Sequence, residues 1–105
     1  MDKNWKRQER RIAELFGTKR TPGSGAYPQL TKSDSLQEKL YIECKYRKEL
    51  PKWIKSVVDD TVLKAAKEKK IPVIVFSEKG MRDDFIIIMR SDLIAVAKEL
   101  KSEDA

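Results

Sequence analysis

Between Asn4 and Phe16 the apolar residues Trp5, Ile12, Ala13, Leu15 and Phe16 recur at helical spacing, and Gly17 follows as a natural stop, so a first helix is predicted there. The stretch from Thr21 to Pro28 holds two prolines and two glycines, a composition that resists helix and strand alike, and it reads as a loop over 21–30. Lys32 to Leu36 and Leu40 to Tyr46 then read as two strands around a polar turn at Gln37-Glu38, with a further short strand conceivable near Lys19. Pro51 suits the first position of a second helix running to about Lys70, with Ile54, Val57, Val58, Thr61, Val62 and Ala65 on one face. Ile71 to Phe76 and Phe85 to Met89 are near-continuous β-branched and aromatic runs separated by a turn at Gly80, a pattern expected of central strands covered on both faces. Ser91 is a fitting N-cap for a last helix burying Leu93, Ile94, Val96, Ala97 and Leu100, after which Ser102 to Ala105 should fray. The order predicts an α/β fold, a mixed sheet flanked by helices.

Length limits what this fold can contain. The chain has 105 residues, enough for one domain with one modest core, so a single domain over 1–105 is expected. Charged residues make up 38% and the net charge is +6, which points to an acidic partner, nucleic acid being the commonest. Histidine is absent, which removes imidazole bases, Ser-His triads and His-ligated zinc, and leaves catalysis to carboxylates and lysines. The single cysteine, Cys44, has no internal disulfide partner and fits a reducing compartment. No apolar run approaches the roughly 20 residues needed to span a bilayer, and the N-terminus lacks the apolar core of a signal peptide. A cytoplasmic protein without a membrane partner is expected.

Side chains alternate along a strand, so Tyr41, Glu43 and Lys45 should share one face and Leu40, Ile42 and Cys44 the other. A symmetric hairpin around Gln37-Glu38 places Asp34 opposite Tyr41 and diagonal to Glu43 on the same face, whereas a three-residue loop turns it away. Glu9 lies in the apolar stripe of Trp5, Ile12 and Phe16, where a carboxylate is costly unless it reaches a cation, a metal or solvent; Glu14 falls on the opposite, solvated side. Glu9 is thus either a third acid of the site or a peripheral glutamate that snorkels to water. Clustered carboxylates without histidine suit Mg²⁺ or Mn²⁺, which prefer oxygen ligands, and such an ion serves phosphodiester hydrolysis. A solvated strand edge with an incidental salt bridge is the bland alternative.

The segments Gln8-Glu-Arg-Arg-Ile12, Pro22-Gly-Ser-Gly25, Ser33-Asp34 and Tyr41-Ile-Glu-Cys-Lys-Tyr-Arg47 resemble the PD-(D/E)xK nuclease superfamily, most closely its archaeal Holliday junction resolvases and small phage or viral nucleases. The likeness is most specific over the first half of the chain. It implies a restriction-endonuclease-like domain with an αβββαβ core, an extra strand and a C-terminal helix. By that likeness Asp34 and Glu43 bind Mg²⁺ or Mn²⁺, the carbonyl of Cys44 adds an oxygen, Lys45 is the catalytic lysine, Glu9 the helix acid and Ser24 a loop serine. Ser33 departs from the pattern, since the superfamily's name has a proline there.

Lys19, Arg20, Lys32, Arg47, Lys48, Lys52 and Lys55 flank the candidate site in sequence and are candidates to neutralise DNA phosphates, with Ser24 and Tyr27 of the loop beside them. The expected partner is double-stranded or branched DNA. A resolvase of four-way junctions makes paired cuts and implies a homodimer. The rival readings are a noncatalytic basic DNA-binding module with a structural acidic cluster, and an RNA-binding α/β protein.

Overall fold

The computed structural model describes residues 3–21 and 33–101. Ser24, Tyr27 and Lys32, the loop beyond Thr21 and the tail over 102–105 therefore lie outside the described residues. The chain divides into two compact units, Met1–Glu49 and Leu50–Ala105. Among the described residues the elements are helix α1 (Asn4–Leu15), helix α2 (Lys52–Lys67), strands β1 (Val73–Phe76) and β2 (Phe85–Ile88), a 3-10 turn (Arg90–Asp92) and helix α3 (Leu93–Lys98). Helices and strands are mixed, as the pattern predicted. No helix among these residues is long and apolar enough to cross a membrane.

In the first unit, α1 ends where Gly17 allows it to. Gly17 takes a left-handed backbone (φ 67°), its N–H donates to Glu14 C=O at 3.0 Å and Thr18 N–H donates to Ala13 C=O at 2.9 Å. This pair of bonds satisfies carbonyls that the last turn leaves open. After the helix, Thr21 N–H donates to Asp34 C=O and Leu36 N–H to Lys19 C=O, forming an antiparallel bridge at Arg20 and Ser35. The short strand expected near Lys19 is therefore present only as this one bridge. The strands expected over Lys32 to Leu36 and Leu40 to Tyr46 do not form a ladder among the described residues. Side chains there take the backbone groups that a ladder would use, the competition that Ser, Asp and Gln bring to any strand. Gln37 Oε1 accepts from the N–H groups of Lys39 and Leu40, both at 2.6 Å, and so builds the polar turn predicted at that point.

In the second unit α2 starts one residue later than expected, with Pro51 as its N-cap. Its predicted inner face is the one withdrawn from solvent: Ile54, Val57, Val58, Thr61 and Ala65 are partly buried, while Val62 is exposed. The helix ends in the same bonding pattern as α1, Lys69 N–H to Ala66 C=O at 3.1 Å and Lys70 N–H to Ala65 C=O at 2.9 Å, but with Lys69 at a φ of 57°. The strand expected from Ile71 begins at Val73, because Pro72 has no N–H to give a ladder. β1 pairs antiparallel with β2, Val73 with Ile88 through Phe76 with Phe85, across a turn in which Gly80 (φ 93°) sits at the third position.

Directly paired residues share a face, so Ile74, Phe76, Ile87 and Phe85 lie on one side of this hairpin and Val73, Val75, Ile88 and Ile86 on the other. Ile74 is buried, and Phe76 meets Trp53 of α2 edge-to-face at 5.6 Å. The expectation of strands covered on both faces is not met: Val75, Phe85 and Ile86 are each more than half exposed. Ser91 does not cap α3 but lies within the 3-10 turn, where Asp92 N–H donates to Met89 C=O at 2.9 Å. Leu93 and Val96 face inward, whereas Ile94, Ala97 and Leu100 are exposed, contrary to expectation. Leu100 lies beyond α3, which ends at Lys98.

Gly17 and Lys69 occupy equivalent positions with opposite costs. No atom lies within 4 Å of a Cβ built on Gly17, so Gly17→Ala is penalised by its backbone alone, about 1 kcal/mol. Lys69→Gly removes the same penalty and should raise stability by about 0.5–1 kcal/mol. Denaturant titration followed by circular dichroism checks both signs; equal effects of the two substitutions would refute the helix-end geometry.

Candidate metal and nucleic-acid site

The first unit has a polar interior. Among its described residues Ala13 is buried together with Glu9, Thr21, Ser33 and Ser35, and each polar member must find partners inside the protein. Thr21 Oγ1 donates to Ser33 C=O at 2.7 Å. Ser33 Oγ accepts from Ile42 N–H at 2.7 Å and donates to Ile42 C=O at 3.0 Å. Asp34 N–H donates to the same Ile42 carbonyl at 2.6 Å, and the amide of Cys44 donates to Asp34 Oδ2.

Asp34 is thus bonded to the residue before Glu43 and to the residue after it. The register differs from the symmetric hairpin, which put Asp34 opposite Tyr41; Asp34 is bonded to Ile42 and Cys44 instead. The predicted alternation survives over 41–45 without a ladder, with Ile42 and Cys44 partly buried and Tyr41, Glu43 and Lys45 exposed, but Leu40, expected on the inner face, is exposed. Lys45 Nζ lies 3.1 Å from Glu43 Oε1. Both side chains are at least half exposed, so this pair contributes little to stability. Gln8 Nε2 donates to Lys45 C=O at 3.0 Å and ties α1 to the same segment.

Glu9 does not snorkel. It is 6% exposed, and its Oε2 takes the Arg20 Nε–H at 2.7 Å, while the Arg20 guanidinium also lies 5.5 Å from the Trp5 ring centre. The carboxylate in the apolar stripe is therefore stabilised by a cation of the protein itself. Arg20, expected as a phosphate contact, is instead largely withdrawn from solvent by this pair. Lys19, Arg47, Lys48, Lys52 and Lys55 are all exposed, the first three in the first unit and the last two on the first turn of α2. The Glu9–Arg20 pair was the part sequence reasoning missed; the acid in an apolar stripe signalled a partner, and nothing in the spacing named Arg20.

The charges leave a mark on two neighbours. Burial pushes the Cys44 thiol up, and the carboxylates of Asp34, Glu9 and Glu43 push it further, so all three acids act on one point. The hydrogen bond and charge of Glu43, with a smaller contribution from Asp34, raise the Lys45 ammonium, which stays protonated through neutral pH.

Asp34 and Glu43 offer hard oxygen donors of the kind Mg²⁺ and Mn²⁺ take, usually one or two carboxylates with the rest of the sphere filled by water and substrate. A carboxylate has about four acceptor positions, so the Cys44 amide leaves Asp34 room for another partner. The donor chemistry fits such an ion. Among the described residues no three acidic or thiol side chains stand close enough to share one, and Glu9 is committed to Arg20. No protein-family model, curated protein or solved structure matches the chain.

Cys44 reports on this arrangement directly. Because its folded thiol is raised, the unfolded chain ionises first as pH climbs past about 8.5, and stability falls between that value and the higher folded one. Alkylation of the native protein by iodoacetamide should be slow at neutral pH, with its profile displaced to the alkaline side of a free thiol. Asp34→Asn and Glu43→Gln should each speed it several-fold at fixed pH; unchanged rates would place the carboxylates away from Cys44.

Proposed function

We propose that the protein is a divalent-metal-dependent endonuclease that hydrolyses phosphodiester bonds in DNA, with Asp34, Glu43 and Lys45 as its catalytic set. The observation that carries this reading is the bracketing of Asp34 by Ile42 and Cys44, which holds a carboxylate against the Glu43-Cys44-Lys45 segment. Main-chain bonds on both sides of Glu43 fix where Asp34 stands along this segment. The fold that goes with the proposal is a restriction-endonuclease-like sheet, to which 33–36 and 40–46 would contribute two strands of the αβββαβ core, although they form no ladder among the described residues.

In this reading Asp34 and Glu43 hold Mg²⁺ or Mn²⁺, with the Cys44 carbonyl as a further oxygen. When bound, the ion stabilises the negative charge that grows on the phosphate and makes water a better nucleophile. Lys45, charged at neutral pH, faces the same phosphate and neutralises part of that charge. Glu9 is paired with Arg20. Lys19, Arg47, Lys48, Lys52 and Lys55 hold the DNA backbone without reading sequence. A homodimer making paired cuts in a four-way junction is one form of this activity, and a nuclease for flaps, ends or general duplex is the other.

One observation favours the second reading, a noncatalytic DNA-binding module: Glu9 is paired with Arg20 and Glu43 with Lys45, so two acids already have cations of their own. Supercoiled plasmid and a synthetic four-way junction, each with and without Mg²⁺ or Mn²⁺, separate the two. The nuclease cleaves at least one of them only with metal, and Asp34→Asn or Lys45→Ala lowers the rate by about 10²-fold or more while binding in the presence of chelator persists. Binding without cleavage in either metal selects the module.

A further inference from the structure

The hydroxyl of Ser33 is used to capacity. It is 2% exposed, donates its one proton to Ile42 C=O at 3.0 Å, and accepts from Ile42 N–H at 2.7 Å and from Ser35 N–H at 3.4 Å. A hydroxyl has one donor and two acceptor positions, and all three are filled by main-chain groups. Ile42 C=O in turn receives both Ser33 Oγ and Asp34 N–H, which fills its two lone pairs.

This balance matters because 33–35 and 42–44 share no ladder among the described residues. In a ladder, several backbone bonds would fix which residue faces which, and the loss of one side chain would leave the register intact. Among the bonds described between 33–35 and 42–44, the register of Asp34 rests on the Ser33 hydroxyl and on Asp34 itself. We propose that Ser33 is the positioning residue of the candidate site: its hydroxyl, clamped on both main-chain groups of Ile42, sets the register that presents the Asp34 carboxylate beside Glu43 and Lys45.

The inference rests on the proposed nuclease reading for its meaning, but its physical content is the clamp. Without Oγ the Ile42 N–H loses its partner in a partly buried place, and a group in that position either pulls in water or moves until it finds another acceptor. Either response lets 42–44 slide relative to Asp34. Groups that orient metal-binding side chains commonly change affinity or activity 10- to 100-fold when removed.

The test compares Ser33→Ala, which deletes the hydroxyl, with Ser33→Thr, which keeps it, in the full chain. Amide hydrogen exchange of a peptide covering 40–46 reads the clamp without any catalytic assay, and a peptide from α2 serves as the internal control. Mn²⁺ alone, titrated by isothermal calorimetry, reads metal affinity, and the Mn²⁺ dependence of plasmid cleavage is the third measurement. Ser33→Ala should speed exchange over 40–46 at least tenfold, leave α2 unchanged and weaken Mn²⁺ binding about 10- to 100-fold. Ser33→Thr should stay within a few-fold of the parent in each.

Parent-like exchange over 40–46 in Ser33→Ala overturns the clamp, as does equal damage from Ala and Thr, which would assign the effect to packing. Should Ser33→Ala fail to fold, Ser33→Cys, which keeps a weaker donor and acceptor at the same place, gives intermediate exchange if the clamp holds and parent-like exchange if it does not. Fast exchange in Ser33→Ala from a protein that neither binds Mn²⁺ nor cuts DNA supports the clamp and refutes the nuclease reading, so the two fail separately.

Discussion

Two neighbouring side chains, Ser33 and Asp34, satisfy backbone groups of Ile42 and Cys44 that a strand ladder would otherwise take. Buried and partly buried N–H and C=O groups must be paired, and here the pairing runs through side chains whose identities sequence dictates. From this constraint the rest of the first unit follows. The register it sets bonds Asp34 to Ile42 and Cys44, the two neighbours of Glu43, while Tyr41, Glu43 and Lys45 stay exposed. The carbonyl of Lys45 is then in reach of Gln8 at 3.0 Å, which brings the acid-bearing turn of α1 to the same segment. Glu9, one residue on, is carried into the interior, where only a cation makes it tolerable.

The electrostatic consequence is a site whose acids are held in place by different means. Glu9 is neutralised by Arg20 in a shielded position, Glu43 shares Lys45 in an exposed one, and Asp34 is oriented by an amide that carries no full charge. Of the three, Asp34 therefore keeps the most capacity to attract a further cation. Burial, and then the nearby carboxylates, raise the Cys44 thiol, while the Lys45 ammonium is raised chiefly by its own bond to Glu43.

Much of the chain was legible as pattern. Gly17 ends α1 because a residue free to take positive φ was needed there, and the inner face of α2 is the apolar face its periodicity marks. Gly80 turns the hairpin for the same reason as Gly17. What could not be read is instructive in each case. Propensity favoured a strand from Leu40 to Tyr46, but it counts backbone preference and is blind to serine and aspartate side chains taking the ladder's place. Lys69 adopts a conformation that lysine rarely takes, and no spacing signals it. The continuous apolar runs of β1 and β2 predicted cover on both faces, yet a two-stranded hairpin has fewer neighbours to provide it; its outer face borders a groove of about 330 Å³ lined by Val73, Ile86, Ile88 and Leu93. In the site, residue types and order were legible, whereas Arg20 as the partner of Glu9 depended on a pairing eleven residues apart.

The central claim is that Asp34, fixed beside Glu43, completes a place for one divalent ion. Crystals soaked in Mn²⁺ and measured at the manganese absorption edge test it most directly. The account predicts one anomalous peak within bonding distance of both the Asp34 and Glu43 carboxylates, with Glu43 drawn off Lys45. Density at saturating Mn²⁺ that leaves Glu43 on Lys45 and shows no peak at Asp34 would contradict it.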